Sequence, residues 1–94
     1  GQTGPYSQRP GYGVVCEAVG GLRHVTGDPD RPPARANIGL TDCITGLYAA
    51  FGTMMALRHR DSTGEGQVVD TALYECAFSF MEAHIGAYDK TGYV

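Results

Sequence analysis

The sequence predicts an α/β fold, of which these 94 residues form a mostly helical part with one clear strand. Two stretches, from about Asp42 to Arg60 and from Tyr74 to Tyr88, have apolar residues at the three- and four-residue steps of a helix face. The stretch from Gln67 to Leu73 has the residue types of a strand, but a single strand does not make a stable sheet. We therefore expect residues 1–94 to be one partial domain of a larger fold.

The central helix is predicted to begin at Thr41 and Asp42, two residue types that cap helices by accepting hydrogen bonds from free backbone N–H groups. A carboxylate at this place also meets the positive end of the helix dipole. Gly46 and Gly52 lie inside the helix, where each costs about 1 kcal/mol relative to alanine. We expect them to permit the close approach of another backbone, and we expect the helix to end near Gly64.

The remaining segments are predicted from local composition. Residues 1–11 and 23–36 are rich in glycine and proline, which indicates loops. Residues 38–40 fit either a short strand or the lead-in to the central helix. A first helix is predicted over residues 12–22, with one face formed by Val14, Val15, Ala18 and Val19. The buried side of the last helix is predicted to contain Cys76, Ala77, Phe80, Met81, His84 and Ile85, and residues 89–94 show no clear element.

The composition is typical of a globular protein and argues against several kinds of partner. Apolar residues make up 43% of the chain and charged residues 18%. The net charge of -3 argues against nucleic acid and against an anionic membrane surface. No run approaches the ~18 apolar residues that span a bilayer, so we expect no membrane partner. The cysteines and histidines lack zinc spacing, so no metal site is expected, and the cytoplasm or an organelle matrix is the expected location.

Several short motifs follow one another along nearly the whole chain. They are Gly1-Gln-Thr-Gly-Pro5, Arg9-Pro-Gly-Tyr12, Gly20-Gly-Leu22 with Thr26-Gly27, Asp42 with Thr45-Gly46-Leu47, Ala56-Leu57, and Thr63-Gly-Glu-Gly-Gln67-Val-Val-Asp70 with Ala72-Leu73. In this order and spacing they resemble the family III CoA-transferases (CaiB/BaiF), which include formyl-CoA transferase and carnitine CoA-transferase. Members of that family are several times longer. The resemblance implies that this chain is a central segment of their large, Rossmann-like domain.

The resemblance implies that Asp42 is the catalytic nucleophile. In the family, this carboxylate attacks the thioester of a donor acyl-CoA and forms a mixed anhydride and CoA thiolate. The thiolate then attacks the enzyme carbonyl, which releases the donor acid and leaves CoA on the aspartate as a thioester. An acceptor acid reverses these steps. The residue pattern alone, without the resemblance, favours Asp42 acting only as a helix cap.

The same resemblance implies that Arg9, Pro10, Gly11 and Tyr12 contact CoA, although Tyr12 also fits a packing aromatic. Formyl-CoA transferase has a glutamate directly after this tyrosine, where the chain has Gly13, which argues against formyl or oxalate specificity. The family implies acyl-CoA and a carboxylic acid as substrates, with no permanently bound cofactor. It also implies a homodimer in which the two chains are interlocked.

Two alternatives to CoA transfer remain. The α-methylacyl-CoA racemases share the aspartate and its helix, but they pair it with a histidine where this chain has Tyr12. Proton removal beside a thioester needs two acid/base groups, one on each face of the substrate. The other alternative is a non-catalytic segment that serves only in dimer assembly. We expect the isolated 94 residues to be inactive.

Overall fold

The computed structural model describes residues 1–93, and the regular elements in this range are all helical. In chain order they are α1 (Gly13–Val19), α2 (Leu40–Thr63), α3 (Leu73–Phe78), a 3₁₀ turn (Ser79–Met81) and α4 (Glu82–Thr91). Residues 1–12 and 20–39 form turns and loops, as the glycine and proline content predicted. Residues 38–39 are the lead-in to α2 and not a strand.

The predicted strand from Gln67 to Leu73 was wrong. Within residues 1–93 this segment has no β partner, and it runs as an isolated extended connection into α3. The backbone of Ala72 still has extended angles, φ -126° and ψ 136°, so the local preference for an extended chain was read correctly. A strand also needs the backbone of a neighbour to accept and donate its hydrogen bonds, and the described residues supply none.

Helix α2 is the longest element; it begins slightly earlier than predicted and ends, as expected, next to Gly64. It begins at Leu40 because Gly39 serves as the N-cap, and it ends at Thr63 before Gly64, which has the left-handed φ of 80° typical of a C-cap. A Cβ atom added at Gly52 would lie 2.8 Å from Cγ1 of Val69. This glycine therefore permits the close approach of the Val69 side chain, whereas the approach of a backbone was expected. At Gly46 nothing lies within 4 Å.

Helix α1 is shorter than predicted, and its buried face was predicted wrongly. Cys16 and Glu17 are buried, whereas Val15 and Val19 are 47% and 56% exposed. The helix ends where Gly20 packs closely on α3, since a Cβ there would lie 2.7 Å from the Cβ of Ala77. The valine face has no cover in the described part of the chain, which is why apolarity alone misidentified the buried side.

The last predicted helix is interrupted. The 3₁₀ turn separates α3 from α4, and Cys76, Ala77 and Met81 are buried as expected. Phe80 in the 3₁₀ turn and His84 and Ile85 in α4 were expected to be buried but are exposed, and α4 has no buried residue. Helix α4 continues to Thr91, so the expectation of no element from residue 89 was wrong for its first three residues. Val94 lies outside the described residues.

The core lies beside the N-terminal half of α2, where α1 and α3 pack against it. Its buried apolar members are Cys16, Ala72, Cys76, Ala77 and Met81. The radius of gyration is 16.2 Å, whereas a compact domain of this length has about 12 Å. The difference arises because α2 projects beyond the core with an apolar surface open to solvent.

Helix α2 also has the length and composition of a membrane span. It has 24 residues and a mean hydropathy of 1.3 over its most apolar window, of which 11% is buried. No such segment was expected, because the prediction counted uninterrupted apolar residues and this window contains glycines and threonines. Length and composition are weak evidence, since core helices of other proteins have the same properties.

Candidate active site

Asp42 lies in the first turn of α2 with its side chain exposed to solvent. It was expected to cap the helix together with Thr41, and this was wrong. The cap position is Gly39, no side chain makes a capping hydrogen bond, and the backbone N–H of Cys43 donates to the Gly39 carbonyl at 3.0 Å. A carboxylate in the first turn of a long helix is stabilised by the helix dipole without forming a cap. Asp42 therefore does not act as the N-cap of α2.

Backbone without side chains borders the Asp42 carboxylate on two sides. Gly13, at the start of α1, lies so close that a Cβ atom there would overlap with Asp42 Oδ2. A Cβ atom at Gly39 would lie 3.5 Å from the same oxygen, which is an ordinary contact. Gly46 follows one helical turn after Asp42 on the same face, with open space beside it. The carboxylate therefore lies against the backbone of Gly13 on one side and is otherwise exposed to solvent.

Two neighbours of Asp42 are buried. Thr41 is 0% exposed, and its hydroxyl has no hydrogen-bond partner within the described residues. The Thr41 carbonyl accepts a hydrogen bond from the Thr45 hydroxyl at 2.7 Å. Burial raises the pKa of the Cys16 thiol, and the negative charge of Asp42 raises it further. Both effects favour the neutral form of the Cys16 thiol.

Three of the four residues predicted to contact CoA line one groove. Arg9, Pro10 and Gly11 border a space of about 410 Å³ between the N-terminal segment, α1 and the start of α3. Tyr12 does not line this groove, and its side chain is 72% exposed. The contact of these residues with CoA stays a prediction.

Aromatic side chains support the groove. The Arg9 guanidinium lies 4.6 Å from the centre of the Tyr6 ring, and that ring meets Tyr74 edge to face at 6.4 Å. Burial raises the pKa of the Tyr74 hydroxyl, and the Glu75 carboxylate adds to this effect. Cys16 also borders the groove, which brings its wall close to the residues around Asp42.

A larger concavity of about 540 Å³ lies near the C-terminal end of α2 and is bordered by Met54, Leu57 and Arg58. Met54 is about 18 Å along the helix from Asp42, at about 1.5 Å per residue. This concavity contains no residue of the candidate site, and we assign it no role. Within residues 1–93, no three potential metal ligands (histidine, cysteine, aspartate or glutamate) lie close enough together to hold a metal ion.

The sequence analysis did not identify Gly13, Gly39 and Cys16 as neighbours of the site. Gly13 was noticed only as a departure from formyl-CoA transferase, and Gly39 had no distinguishing pattern. The approach of Gly13 to Asp42 depends on how α1 packs on α2, and local periodicity does not encode such packing. The arrangement of a glycine at each side of an exposed carboxylate is visible only in three dimensions.

Comparisons with known proteins agree on one family. The model of CoA-transferase family III matches residues 1–94. The chain is 46% identical over 94 residues to succinyl-CoA–D-citramalate CoA-transferase of Chloroflexus aurantiacus, which covers all of this chain and 23% of that protein. It is 42% identical over 87 residues to human succinyl-CoA:glutarate CoA-transferase, covering 93% of this chain and 20% of that protein.

A third relative is succinyl-CoA:mesaconate CoA-transferase of Haloarcula hispanica, 37% identical over 84 residues, with 89% of this chain and 21% of that protein covered. The crystal structure of a CaiB/BaiF family protein from Brucella suis matches with a TM-score of 0.94 at 36% identity, over 99% of this chain and 25% of that chain. The helices therefore have the arrangement of a segment in a CaiB/BaiF protein, as the Rossmann-like prediction implied. The chain spans about a quarter or less of the length of these relatives.

Proposed function

Since this chain belongs to CoA-transferase family III, we propose that it is the Asp42-bearing segment of an enzyme that transfers coenzyme A from succinyl-CoA to a second carboxylic acid. The three relatives named above carry succinyl-CoA in their names, together with citramalate, glutarate or mesaconate. Each of these acceptors is a small dicarboxylic acid. We propose the same class of acceptor for the enzyme that contains this chain.

The proposed reaction begins at the Asp42 carboxylate. One of its oxygens attacks the thioester carbon of succinyl-CoA, the carbon–sulfur bond breaks, and a mixed anhydride and CoA thiolate form. The thiolate attacks the Asp42 carbonyl carbon, succinate leaves, and CoA remains on Asp42 as a thioester. The acceptor acid attacks that carbonyl and displaces the thiolate, which then attacks the acceptor's carbonyl and releases the Asp42 carboxylate. Each step exchanges one acyl bond for another, so no oxidant or external proton is required.

The observation that carries this proposal is the exposed, uncommitted carboxylate of Asp42 in a chain that matches the family along its whole length. Asp42 forms no hydrogen bond or ion pair with another described residue, so nothing in this part of the protein needs to be displaced before it attacks. The first turn of α2 also presents partial positive charge to anions formed near Asp42. These features support a nucleophile better than a structural cap.

We propose that CoA reaches Asp42 past the groove bordered by Arg9, Pro10 and Gly11. Arg9 is held by the Tyr6 ring with its charge still exposed, which suits it to contact a phosphate group. Tyr12 lies between this segment and Gly13, and its exposed ring is available to an acyl group or to another segment of the enzyme. CoA and its thioesters act here as substrates, and we propose no permanently bound cofactor.

The proposed assembly is a homodimer with interlocked chains, located in the cytoplasm or an organelle matrix. The apolar surface of α2 supports a further packing partner, since Leu47, Phe51 and Met54 are 72%, 68% and 65% exposed. In the full-length enzyme we propose that other segments or the second subunit cover this surface. The three cysteines are unpaired, which is usual in a reducing compartment.

The test uses the full-length protein, incubated with succinyl-CoA and treated with hydroxylamine. Trypsin cleavage after Arg35 and Arg58 releases a peptide in which Asp42 is the single carboxylate side chain. We expect hydroxamate in this peptide, and we expect Asp42→Asn to lose both the label and transfer by roughly 10⁴-fold or more. Asp61→Asn, at the other end of α2, should retain both the hydroxamate label in the Asp42 peptide and the transfer activity.

Turnover without hydroxamate in the Asp42 peptide would instead favour the acid/base chemistry of a racemase. No turnover with any acyl-CoA would leave a structural role for Asp42.

A further inference from the structure

Gly13 lies so close to Asp42 that this arrangement of the backbone leaves no room for a side chain at position 13. A Cβ atom built on Gly13 would overlap with Asp42 Oδ2 and would lie 2.9 Å from Thr41 Oγ1. Real Cβ atoms essentially never come closer than 3.0 Å to such atoms. Thr41 is 0% exposed, so its hydroxyl has no free space into which to move. The exposed Asp42 side chain would have to yield by rotating away.

The backbone conformation does not explain a glycine at position 13. Gly13 is the first residue of α1 and has helical angles, and it is absent from the positive-φ positions of the chain. The close approach to Asp42 and Thr41 is therefore the physical reason for the missing side chain.

Gly39 is a second glycine beside the same carboxylate and provides a comparison. A Cβ atom there would lie 3.5 Å from Asp42 Oδ2 and 3.8 Å from Asp42 Cβ, both ordinary van der Waals distances. The φ of Gly39 is -75°, which other residues also adopt. The two glycines therefore border one carboxylate, but only Gly13 excludes a side chain.

We propose that Gly13 is a positioning residue that fixes the orientation of the Asp42 carboxylate, a proposal that rests on the transferase function proposed above. The backbone of Gly13 lies beside Oδ2 of Asp42 and leaves space for this oxygen in its present orientation. A methyl group at position 13 moves the nucleophile out of this orientation. A displacement of about 1 Å at a reacting atom costs about 10²-fold in rate.

The kinetic test compares three alanine variants in the full-length protein. We expect Gly13→Ala to lower kcat about 10²-fold while KM for succinyl-CoA changes by less than about threefold. Gly39→Ala should lower kcat much less, because its methyl group fits. Gly86→Ala, in α4 with nothing within 4 Å of the added atom, is the control for a helical glycine remote from Asp42. Gly13→Ala with the kcat of the unmodified enzyme would overturn the proposal.

A thermal-melting cycle tests the contact independently of catalysis. We expect Gly13→Ala to lower the melting temperature in the presence of Asp42 and to lower it clearly less in an Asp42→Ala background, where the overlap with Oδ2 is gone. Equal decreases in both backgrounds would overturn the proposal. If Gly13→Ala alone fails to fold, the double variant must fold for the proposal to stand. An unmodified enzyme without transferase activity would refute the proposed function, and the cycle would still decide whether Gly13 positions Asp42.

Discussion

The Asp70 carboxylate accepts a hydrogen bond from the backbone N–H of Gln2 at 2.9 Å, across 68 residues of sequence. This contact joins the N-terminal segment to the extended connection between α2 and α3. It also closes one side of the groove that Arg9 borders, because Gly1, Gln2 and Thr71 lie in its wall.

We predict that Asp70→Asn lowers the melting temperature of the full-length protein at pH 7. The hydrogen bond from the Gln2 backbone N–H lowers the pKa of Asp70 from its ordinary value of 3.8. A lowered folded-state pKa stabilises the fold above pH 3.8, and the contribution disappears as the pH falls through the folded-state value. The difference in melting temperature between Asp70→Asn and the unmodified protein should therefore become smaller as the pH falls.

Asp30→Asn is the control for this prediction, because Asp30 lies exposed in a loop and forms no ion pair with another described residue. Its melting temperature should follow that of the unmodified protein at every pH. Melting curves recorded from pH 7 down to pH 3 measure both differences. A constant difference between Asp70→Asn and the unmodified protein over this range would show that the charge of Asp70 is not the cause.

The sequence predicted those features that depend on neighbours along the chain. The C-terminal end of α2 could be predicted because Gly64 adopts a left-handed conformation that favours glycine, and the local composition marks the loops. The helical stretches were also found, because apolar periodicity records the period of the helix. Apolar periodicity did not reveal that the last predicted helix is divided into α3 and α4, since the 3₁₀ turn at Ser79–Met81 leaves the periodicity nearly unchanged.

Features that depend on packing between distant segments were not predictable in the same way. The strand at residues 67–73 was wrong because strand formation requires a partner backbone, whereas an extended preference is local. The buried face of α1 was wrong because burial follows from what α2 and α3 cover. The contact between Gly13 and Asp42 joins residues on two helices, and no pattern within either helix indicates it.

The contact between Gly52 and Val69 gives a second stability prediction. Alanine in a helix interior is more stable than glycine by about 1 kcal/mol, but overpacking costs about 1–3 kcal/mol. A Cβ atom at Gly52 would lie 2.8 Å from Val69 Cγ1, so we expect Gly52→Ala to lower the free energy of unfolding or leave it unchanged. Adding Val69→Ala removes the overlap, so the double variant should show the stability gain of alanine over glycine. Denaturant unfolding of the full-length protein measures these free energies of unfolding.

Gly86→Ala is the matched control, because the added methyl group meets nothing within 4 Å and should yield the full helix-propensity gain. Equal gains for Gly52→Ala and Gly86→Ala would contradict the contact. If Gly52→Ala lowers the free energy of unfolding and adding Val69→Ala does not restore it, the added methyl group is strained against a neighbour other than Val69.

We predict that the isolated 94-residue chain self-associates. The exposed apolar residues of α2 include Leu47 and Phe51, 72% and 68% exposed, and the core beside them is small. Association removes such surface from water and stabilises it by about 25 cal/mol per Å². Sedimentation velocity over a range of concentrations should show oligomers, and Leu47→Glu with Phe51→Lys should reduce their fraction. A monodisperse monomer with a sharp cooperative melt would refute this prediction.

The proposed covalent route also predicts where a labelled oxygen atom goes. When the acceptor acid carries ¹⁸O in its carboxylate, its attack on the Asp42 thioester places one ¹⁸O in the bridging position of the anhydride. The thiolate then attacks the acceptor carbonyl, so the bridging oxygen stays with Asp42. We expect one ¹⁸O in the tryptic peptide of residues 36–58 after a single turnover, and Asp42 is its single carboxylate side chain. Peptides from elsewhere in the protein should remain unlabelled. Turnover with an unlabelled Asp42 peptide would exclude an anhydride between Asp42 and the acceptor.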